Sequence, residues 1–160
     1  MFPNIEVLLQ GDNSFYSQRD CEGDFFPDKL GEQPDFSVPR DPTKKTGLGS
    51  SAALTVSFLA ATFTFLQMPI YDKNQVPSKE FHCHCQLLNA FLANKVGSGF
   101  DIAASIYGSQ LYKRFSNTAI LKDRLVPFLL SKLVDGKLVN TSDFDEFNQL
   151  FDEFVAGFGY

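Results

Sequence analysis

Lys44-Lys45-Thr46-Gly47-Leu48-Gly49-Ser50-Ser51-Ala52-Ala53 leads directly into an apolar run that ends near Leu66. The two glycines allow backbone angles that other residues avoid, and they remove side chains where the chain must pass close to a ligand. Either serine can cap the following helix, whose first amides lack intrahelical partners and whose dipole favours negative charge. The stretch therefore predicts a phosphate-binding loop that leads into a helix over residues 50–66, buried on nearly every face.

A glycine turn that only caps a buried helix is the alternative interpretation of this stretch. The loop is not of the Walker A type, since no Gly-Lys-Ser or Gly-Lys-Thr follows at the required spacing. The pattern of glycines alone leaves both interpretations open.

A second glycine string, Lys95-Val96-Gly97-Ser98-Gly99-Phe100-Asp101, precedes a short apolar segment. An aspartate in this position commonly caps a helix. A carboxylate that leaves a glycine loop at the start of a helix can also be held rigidly and aimed into a cleft. Both roles remain open for Asp101.

Residues 45–53 resemble the second conserved motif of the GHMP small-molecule kinases, and the Lys-Thr lead-in favours the fungal-type phosphomevalonate kinase branch of that family. Residues 95–109 are similar to the Ser-Gly-x-Asp segment of the same branch. The resemblance covers roughly residues 5–18 and 44–115. It implies an α+β fold like that of ribosomal protein S5 domain 2, which is the N-terminal, ATP-binding domain of a GHMP kinase.

The resemblance also implies a reaction, in which ATP passes its γ-phosphoryl group to the phosphate of phosphomevalonate with Mg²⁺ as the metal ion. Positioning and charge neutralisation dominate such a transfer. The resemblance places Asp101 beside the acceptor oxygen and the Ser51 hydroxyl on Mg²⁺. The ATP phosphates would lie on the amides of Gly47, Leu48, Gly49, Ser50 and Ser51. Further candidates for substrate binding are Ser17, Gln18, Ser98, Lys113 and Arg114, although the last two are also typical of a solvated strand end.

Hydrophobic periodicity predicts both strands and helices in the remainder of the chain. Strands are predicted over residues 5–9, 36–38 and 109–115. Helices are predicted over residues 79–94, with Ser78 as the cap, and over residues 120–134, with Pro127 as an interruption. A last amphipathic helix opens at Ser142-x-x-Asp145 and places Phe144, Phe147, Leu150, Phe151, Phe154 and Val155 on one face.

His82-Cys83-His84-Cys85 falls within the helix predicted over residues 79–94. Neighbouring residues on a helix point to different faces, whereas zinc ligands usually lie two to four residues apart across a loop. We therefore expect two buried thiols and two partly exposed imidazoles instead of a metal site. His82 and Gln86 match the register of similar kinases.

Composition limits the remaining function classes. The 160 residues carry a formal net charge of -5, which argues against a nucleic-acid or polybasic membrane surface. The three cysteines are an odd number without the spacing of a disulfide framework, and no signal peptide is evident at the start. A single domain in the cytoplasm, with small-molecule ligands, is the expectation.

Two parts of the family's apparatus have no counterpart in this sequence: an early segment with a catalytic lysine, and a C-terminal domain with a third glycine-rich motif. We therefore expect residues 1–160 to form part of a GHMP kinase N-terminal domain, with little activity alone and the missing kinase segments as partners. Two alternatives stay open. One is a non-catalytic remnant or interaction module that binds through its Phe-rich helix, and the other is a related enzyme such as mevalonate kinase.

Overall fold

The structure is a computed structural model that describes residues 49–133 and 141–158. The chain divides into two compact units, Met1–Ser50 and Ser51–Tyr160. The strands predicted over residues 5–9 and 36–38 lie outside the described residues, as do four site candidates, namely Ser17, Gln18, Gly47 and Leu48.

Helices dominate the described residues. They are α1 (Ser50–Phe65), α2 (Lys79–Ala93), α3 (Phe100–Tyr107), a π-helix (Ile120–Leu125), α4 (Val126–Leu133) and α5 (Thr141–Gly157). The predicted bounds of α1 and α2 are confirmed to within one residue. Ser78 caps α2 as predicted, because its Oγ accepts a hydrogen bond from the amide of Phe81 at 3.1 Å.

Helix α2 is central to the second unit because it contributes side chains to two separate apolar clusters. Cys83 and Leu87 pack with residues of the π-helix and α5, whereas Phe81 and Cys85 pack with residues of α1 and α3. Both thiols are fully buried and free, as predicted. Since the two cysteines lie in different clusters, they do not converge on one ligand site, and residues 49–133 and 141–158 contain no group of three or more potential metal ligands.

The prediction that α1 is buried on nearly every face is wrong. Its buried residues are Ala52, Thr55 and Phe63, while Leu54 is 47% exposed and Phe65 is 61% exposed. Threonine hydroxyls in the apolar run form hydrogen bonds to carbonyls of the same helix. For example, Thr55 Oγ1 donates to the carbonyl of Ser51 at 2.9 Å. Among the described residues, one face of α1 packs against other helices, so the apolar content of the run overstated its burial. No helix within the described ranges is long and apolar enough to cross a membrane.

The strand predicted over residues 109–115 is also wrong, because this segment has no regular secondary structure. Within the described residues, the only β-type pairing is an isolated antiparallel bridge between Tyr71 and Pro77. An extended segment needs a neighbouring strand to form a ladder. Side chains of this segment instead donate hydrogen bonds to carbonyls of the glycine loop before α3. The alternation of polar and apolar residues therefore reflects contact with that loop and not strand pairing.

The interruption predicted at Pro127 is confirmed. Proline has no amide hydrogen and its ring collides with the carbonyl four residues earlier, which opens the helix locally. The preceding residue, Val126, donates its amide to the carbonyl of Leu121, five residues back. The result is a π-helix that passes directly into α4.

Helix α5 packs most of its predicted apolar face inside the second unit. Leu150, Phe151 and Phe154 are buried against α2 and the π-helix, and Phe147 is partly buried. Phe144, at the start of this face, is 57% exposed. The face therefore finds its partner largely within the chain itself.

Candidate functional site

The described part of the predicted phosphate loop combines a glycine with positive φ and the start of α1. Gly49 has a φ of +72°, in the left-handed region that favours glycine. A Cβ at this position would meet no atom within 4 Å, so conformation and not space is the reason for glycine there. Ser50 begins α1 and Ser51 is exposed in its first turn, so the free amides of this turn adjoin a hydroxyl.

The second glycine string forms a loop that ends at α3. Gly99, with a φ of +80°, is the N-cap residue of α3 and is buried. Asp101 lies in the first turn as predicted and is partly buried, and its Oδ1 accepts a hydrogen bond from the amide of Ile102 at 3.0 Å. The carboxylate therefore takes part in the start of the helix without being its cap, and it keeps an exposed portion.

Gln86 on α2 supports this loop from the buried side. Its Nε2 donates to the carbonyl of Gly99 at 2.9 Å and lies 3.0 Å from Nε2 of His82. A Cβ added to Gly99 would lie 2.7 Å from Nε2 of Gln86 and 2.9 Å from Cε1 of Phe115. The loop thus packs so closely on the side chains of Gln86 and Phe115 that a Cβ at position 99 would require them to move.

Of the two imidazoles predicted to be partly exposed, His84 is partly exposed as predicted, whereas His82 is fully buried, which corrects the prediction for that residue. The rings of Tyr107 and Phe158 meet it edge to face, with centroid distances of 5.4 Å and 4.9 Å. Burial lowers the pKa of His82 to about 4. A neutral ring accepts the amide hydrogen of Gln86 at Nε2, so the pair is a buried hydrogen-bonded link between α2 and the glycine loop.

The irregular segment after α3 supports the loop from a second side. The hydroxyl of Tyr112 donates to the carbonyl of Ser98 at 2.8 Å, and Nη2 of Arg114 donates to the carbonyl of Gly97 at 3.2 Å. Partial burial raises the pKa of Tyr112, so the phenol stays protonated and continues to donate. Three consecutive loop carbonyls are therefore held by three side chains from two other segments, namely α2 and the irregular segment after α3.

The candidate site residues between positions 98 and 114 differ in their exposure and in their hydrogen bonds. Ser98 is exposed, and its carbonyl accepts the hydrogen bond from Tyr112. One guanidinium nitrogen of Arg114 already donates a hydrogen bond to the loop. Lys113 is exposed. Sequence reasoning gave no role to Gln86 beyond its register, or to Tyr112. The spacing of Gln86 four residues after His82 is the one signal that points to a shared helix face.

Acidification provides a test of the buried His82 link. In the unfolded chain His82 takes up a proton near pH 6.5, whereas in the folded chain it does so only near pH 4. Since the unfolded state binds more protons between these values, stability falls as the pH falls. We expect a loss of about 2 kcal/mol in the free energy of unfolding between pH 7 and pH 5, measured by urea denaturation.

The variant His82→Gln is the control for this titration. Burial also lowers the pKa of His84, which adds a change of the same sign. The difference between the native chain and His82→Gln therefore isolates His82. Equal pH dependence in the two proteins would contradict a buried neutral imidazole at position 82.

Several curated proteins are similar in sequence to this chain. It is 36% identical over 121 residues to a phosphomevalonate kinase of Aspergillus fumigatus, covering 72% of this chain and 24% of that protein. It is 33% identical over 146 residues to the phosphomevalonate kinase of Gibberella zeae, covering 84% and 31%. A peroxisomal phosphomevalonate kinase of Arabidopsis thaliana is 32% identical over 142 residues, covering 72% and 28%. The chain thus spans about a quarter to a third of the length of these relatives.

No solved structure shows a significant match to the chain. The family model described as the GHMP kinases N terminal domain matches residues 27–109. This range is just over half of the 160 residues, and it contains both glycine strings and Asp101. The chain therefore belongs to the GHMP kinase family and contains the matched portion of its N-terminal domain.

Proposed function

We propose that this chain supplies the ATP-binding and acceptor-binding loops of a phosphomevalonate kinase in isoprenoid and sterol biosynthesis. One observation carries the proposal: Gln86, Tyr112 and Arg114 hold three successive carbonyls of the glycine loop from which α3 and Asp101 emerge. A loop held in this way presents a carboxylate at a constant position, which phosphoryl transfer needs more than it needs covalent help.

In the proposed reaction an oxygen of the phosphomevalonate phosphate attacks the γ-phosphorus of ATP. A new P–O bond forms, the bond from the γ-phosphorus to the β,γ-bridging oxygen breaks, and ADP leaves with that electron pair. The attacking phosphate oxygen is already ionised near neutral pH, so Asp101 does not need to remove a proton. Its proposed role is to orient the acceptor together with neighbouring cations, with Lys113 and Arg114 as candidates.

The ATP phosphates are proposed to lie on the amides of residues 47–51, at the start of α1. The left-handed backbone at Gly49 and the open space around it fit the close approach of a phosphate. Mg²⁺ would neutralise charge on the phosphates, and the exposed Ser51 hydroxyl is a hard oxygen ligand of the type this ion takes. Ser17, Gln18 and Ser98 remain proposed substrate contacts.

The complete domain is proposed to be α+β, like ribosomal protein S5 domain 2. A cytoplasmic location belongs to the same proposal, in agreement with the free thiols of Cys83 and Cys85. Residues 1–160 by themselves are proposed to bind ATP weakly and to turn over slowly or not at all.

Nucleotide binding tests the proposed phosphate loop, and two glycines provide a matched comparison. Gly49 and Gly108 have φ values of +72° and +73°, and a Cβ at either position would meet nothing within 4 Å. Valine at either position strains a positive-φ backbone by at least about 1–2 kcal/mol, and the ψ of −142° at Gly108 makes the strain there no smaller. Only Gly49→Val is expected to weaken the binding of a non-hydrolysable ATP analogue with Mg²⁺, by at least about tenfold in calorimetry, a loss of roughly 1.4 kcal/mol.

Asp101→Ala is expected to retain nucleotide binding, because this residue is assigned to the acceptor. Equal binding by Gly49→Val and Gly108→Val would remove the assignment of the phosphate loop. Absence of nucleotide binding by the native chain would mean that the chain shares ancestry with the kinases but does not bind their nucleotide.

The alternative of an interaction module has lost its main support, since most of the Phe-rich face of α5 is covered within the chain. Competition between mevalonate and phosphomevalonate would separate the two kinase assignments.

A further inference from the structure

The side-chain amide of Gln86 uses both of its N–H bonds inside the protein. Its Nε2 lies 2.9 Å from the carbonyl oxygen of Gly99 and 3.0 Å from Nε2 of His82, and Gln86 is only 3% exposed. The carbonyl of Gly99 can only accept a hydrogen bond, so the NH2 group of Gln86, and not its oxygen, must face it. The second N–H of that group then requires an acceptor at Nε2 of His82. The ring is therefore neutral and carries its proton on Nδ1.

The carbonyl that Gln86 holds is also the first hydrogen-bond acceptor of α3. It accepts the amide of Ala103 at 3.1 Å, and this bond closes the turn that contains Asp101. A carbonyl oxygen has two lone pairs, so Gln86 and Ala103 together satisfy it. Hydrogen bonds thus run from the His82 ring, through the Gln86 amide, to the first turn of the helix that carries Asp101.

A hydrogen on Nε2 of His82 would break this arrangement. Two donors would then face each other, and turning the Gln86 amide over would bring its Oε1 against the carbonyl oxygen of Gly99. Either arrangement leaves a buried polar group without a partner, which costs the desolvation of that group. Burial lowers the pKa of His82 to about 4, so the ring is neutral near pH 7.

The surroundings of the His82 ring give no other reason for a histidine. Tyr107 and Phe158 contact the ring edge to face, and phenylalanine would make such contacts without the desolvation of ring nitrogens. What histidine supplies and phenylalanine lacks is the acceptor at Nε2.

We propose that His82 is a positioning residue, which as the Nδ1–H tautomer holds the Gln86 amide on the glycine loop and so keeps Asp101 in place. Its part in catalysis rests on the proposed function, in which Asp101 orients the acceptor. The hydrogen-bond chain itself belongs to the folded protein and is tested without substrates.

Nitrogen-15 NMR of the full chain near neutral pH reads the tautomer directly. The chain has two histidines, so the ring signals that remain in His84→Gln, or that disappear in His82→Gln, belong to His82. We expect a hydrogen on Nδ1 and none on Nε2. A hydrogen on Nε2 would overturn the proposal, and the spectrum of the native chain gives this result even where a variant does not fold.

Hydrogen exchange at the amide of Ala103 tests whether the acceptor matters to α3. His82→Phe keeps an aromatic ring without an acceptor, and we expect this amide to exchange about tenfold faster, as for the loss of one buried hydrogen bond. His82→Gln restores an acceptor oxygen and is expected to stay within about threefold of the native rate. The amide of Ala60 in α1 is the reference. Equal acceleration at Ala60 and Ala103 would overturn the proposal, because His82 would then only stabilise the fold.

Gln86→Met tests whether the ring acts through the amide. Methionine is also unbranched but donates no hydrogen bond, so this variant interrupts the chain between the ring and the loop. Adding His82→Phe to Gln86→Met is expected to change exchange at Ala103 by less than about twofold, since the link is already broken. A tenfold acceleration in both backgrounds would overturn the proposal. None of these measurements involves ATP or phosphomevalonate, so their failure is distinct from a failure of nucleotide binding, which would remove the proposed function.

Discussion

Phe154→Ala is expected to lower the free energy of unfolding by about 3–5 kcal/mol, which is a large part of the stability of an ordinary domain. Phe154 is fully buried on α5, and its ring contacts those of Phe115 and Phe158 at centroid distances of 5.9 Å and 5.6 Å. Truncation removes apolar contact and leaves a cavity that these rings fill only in part. Urea denaturation followed by circular dichroism measures the change.

Phe144→Ala on the same helix is the control for this truncation. Phe144 is 57% exposed, so its loss is expected to change stability by less than about 0.5 kcal/mol. A similar, small effect at both positions would show that α5 does not pack on α2 and the π-helix as described. Loss of the Phe154 ring is also expected to disturb the glycine loop, because Phe115 contacts Phe154 and lies next to Gly99.

Gly99→Ala is expected to destabilise the chain by about 3 kcal/mol. An added Cβ would lie 2.7 Å from Nε2 of Gln86 and 2.9 Å from Cε1 of Phe115, and such overpacking costs about 1–3 kcal/mol. The left-handed backbone at Gly99 adds about 1 kcal/mol for any residue with a Cβ. Thermal and urea denaturation measure the total. The displaced loop should also move α3, and with it Asp101.

Gly97→Ala is the matched control, because no atom lies within 4 Å of the added Cβ and its φ is not positive. It is expected to change stability by less than about 0.5 kcal/mol. Removing the obstructing side chain provides an independent check. The double variant Gln86→Ala, Gly99→Ala should be less destabilised than the sum of the two single variants, by about 1 kcal/mol. Strict additivity would mean that the Gln86 side chain does not obstruct the Cβ at position 99.

Local sequence rules predicted the individual helices well. Ser78 marked the start of α2, Pro127 marked the interruption before α4, and a glycine string preceded α3. Caps, prolines and glycines act through the backbone of a few neighbouring residues, so their effects are present in the sequence itself. The two glycine strings also carried the resemblance that the family match confirmed.

Burial and pairing depended on the tertiary structure. The apolar run of α1 predicted a helix buried on all sides, and the alternation at residues 109–115 predicted a strand, yet α1 packs through one face and the segment lies along a loop. Hydrophobic periodicity indicates which side chains can pack against another element, but it does not identify that element. His82 was predicted to be partly exposed for the same reason, since only the folded chain brings Tyr107 and Phe158 to its ring.

The sequence by itself determined the family and the bounds of α1 and α2 to within one residue. Only the tertiary structure decided that Gln86, Tyr112 and Arg114 support the loop before Asp101. The three side chains lie 13 to 17 positions along the chain from the carbonyls that they hold. Hydrogen bonds and charges act over a few ångströms in space, so contacts between distant segments exist only after the helices have packed.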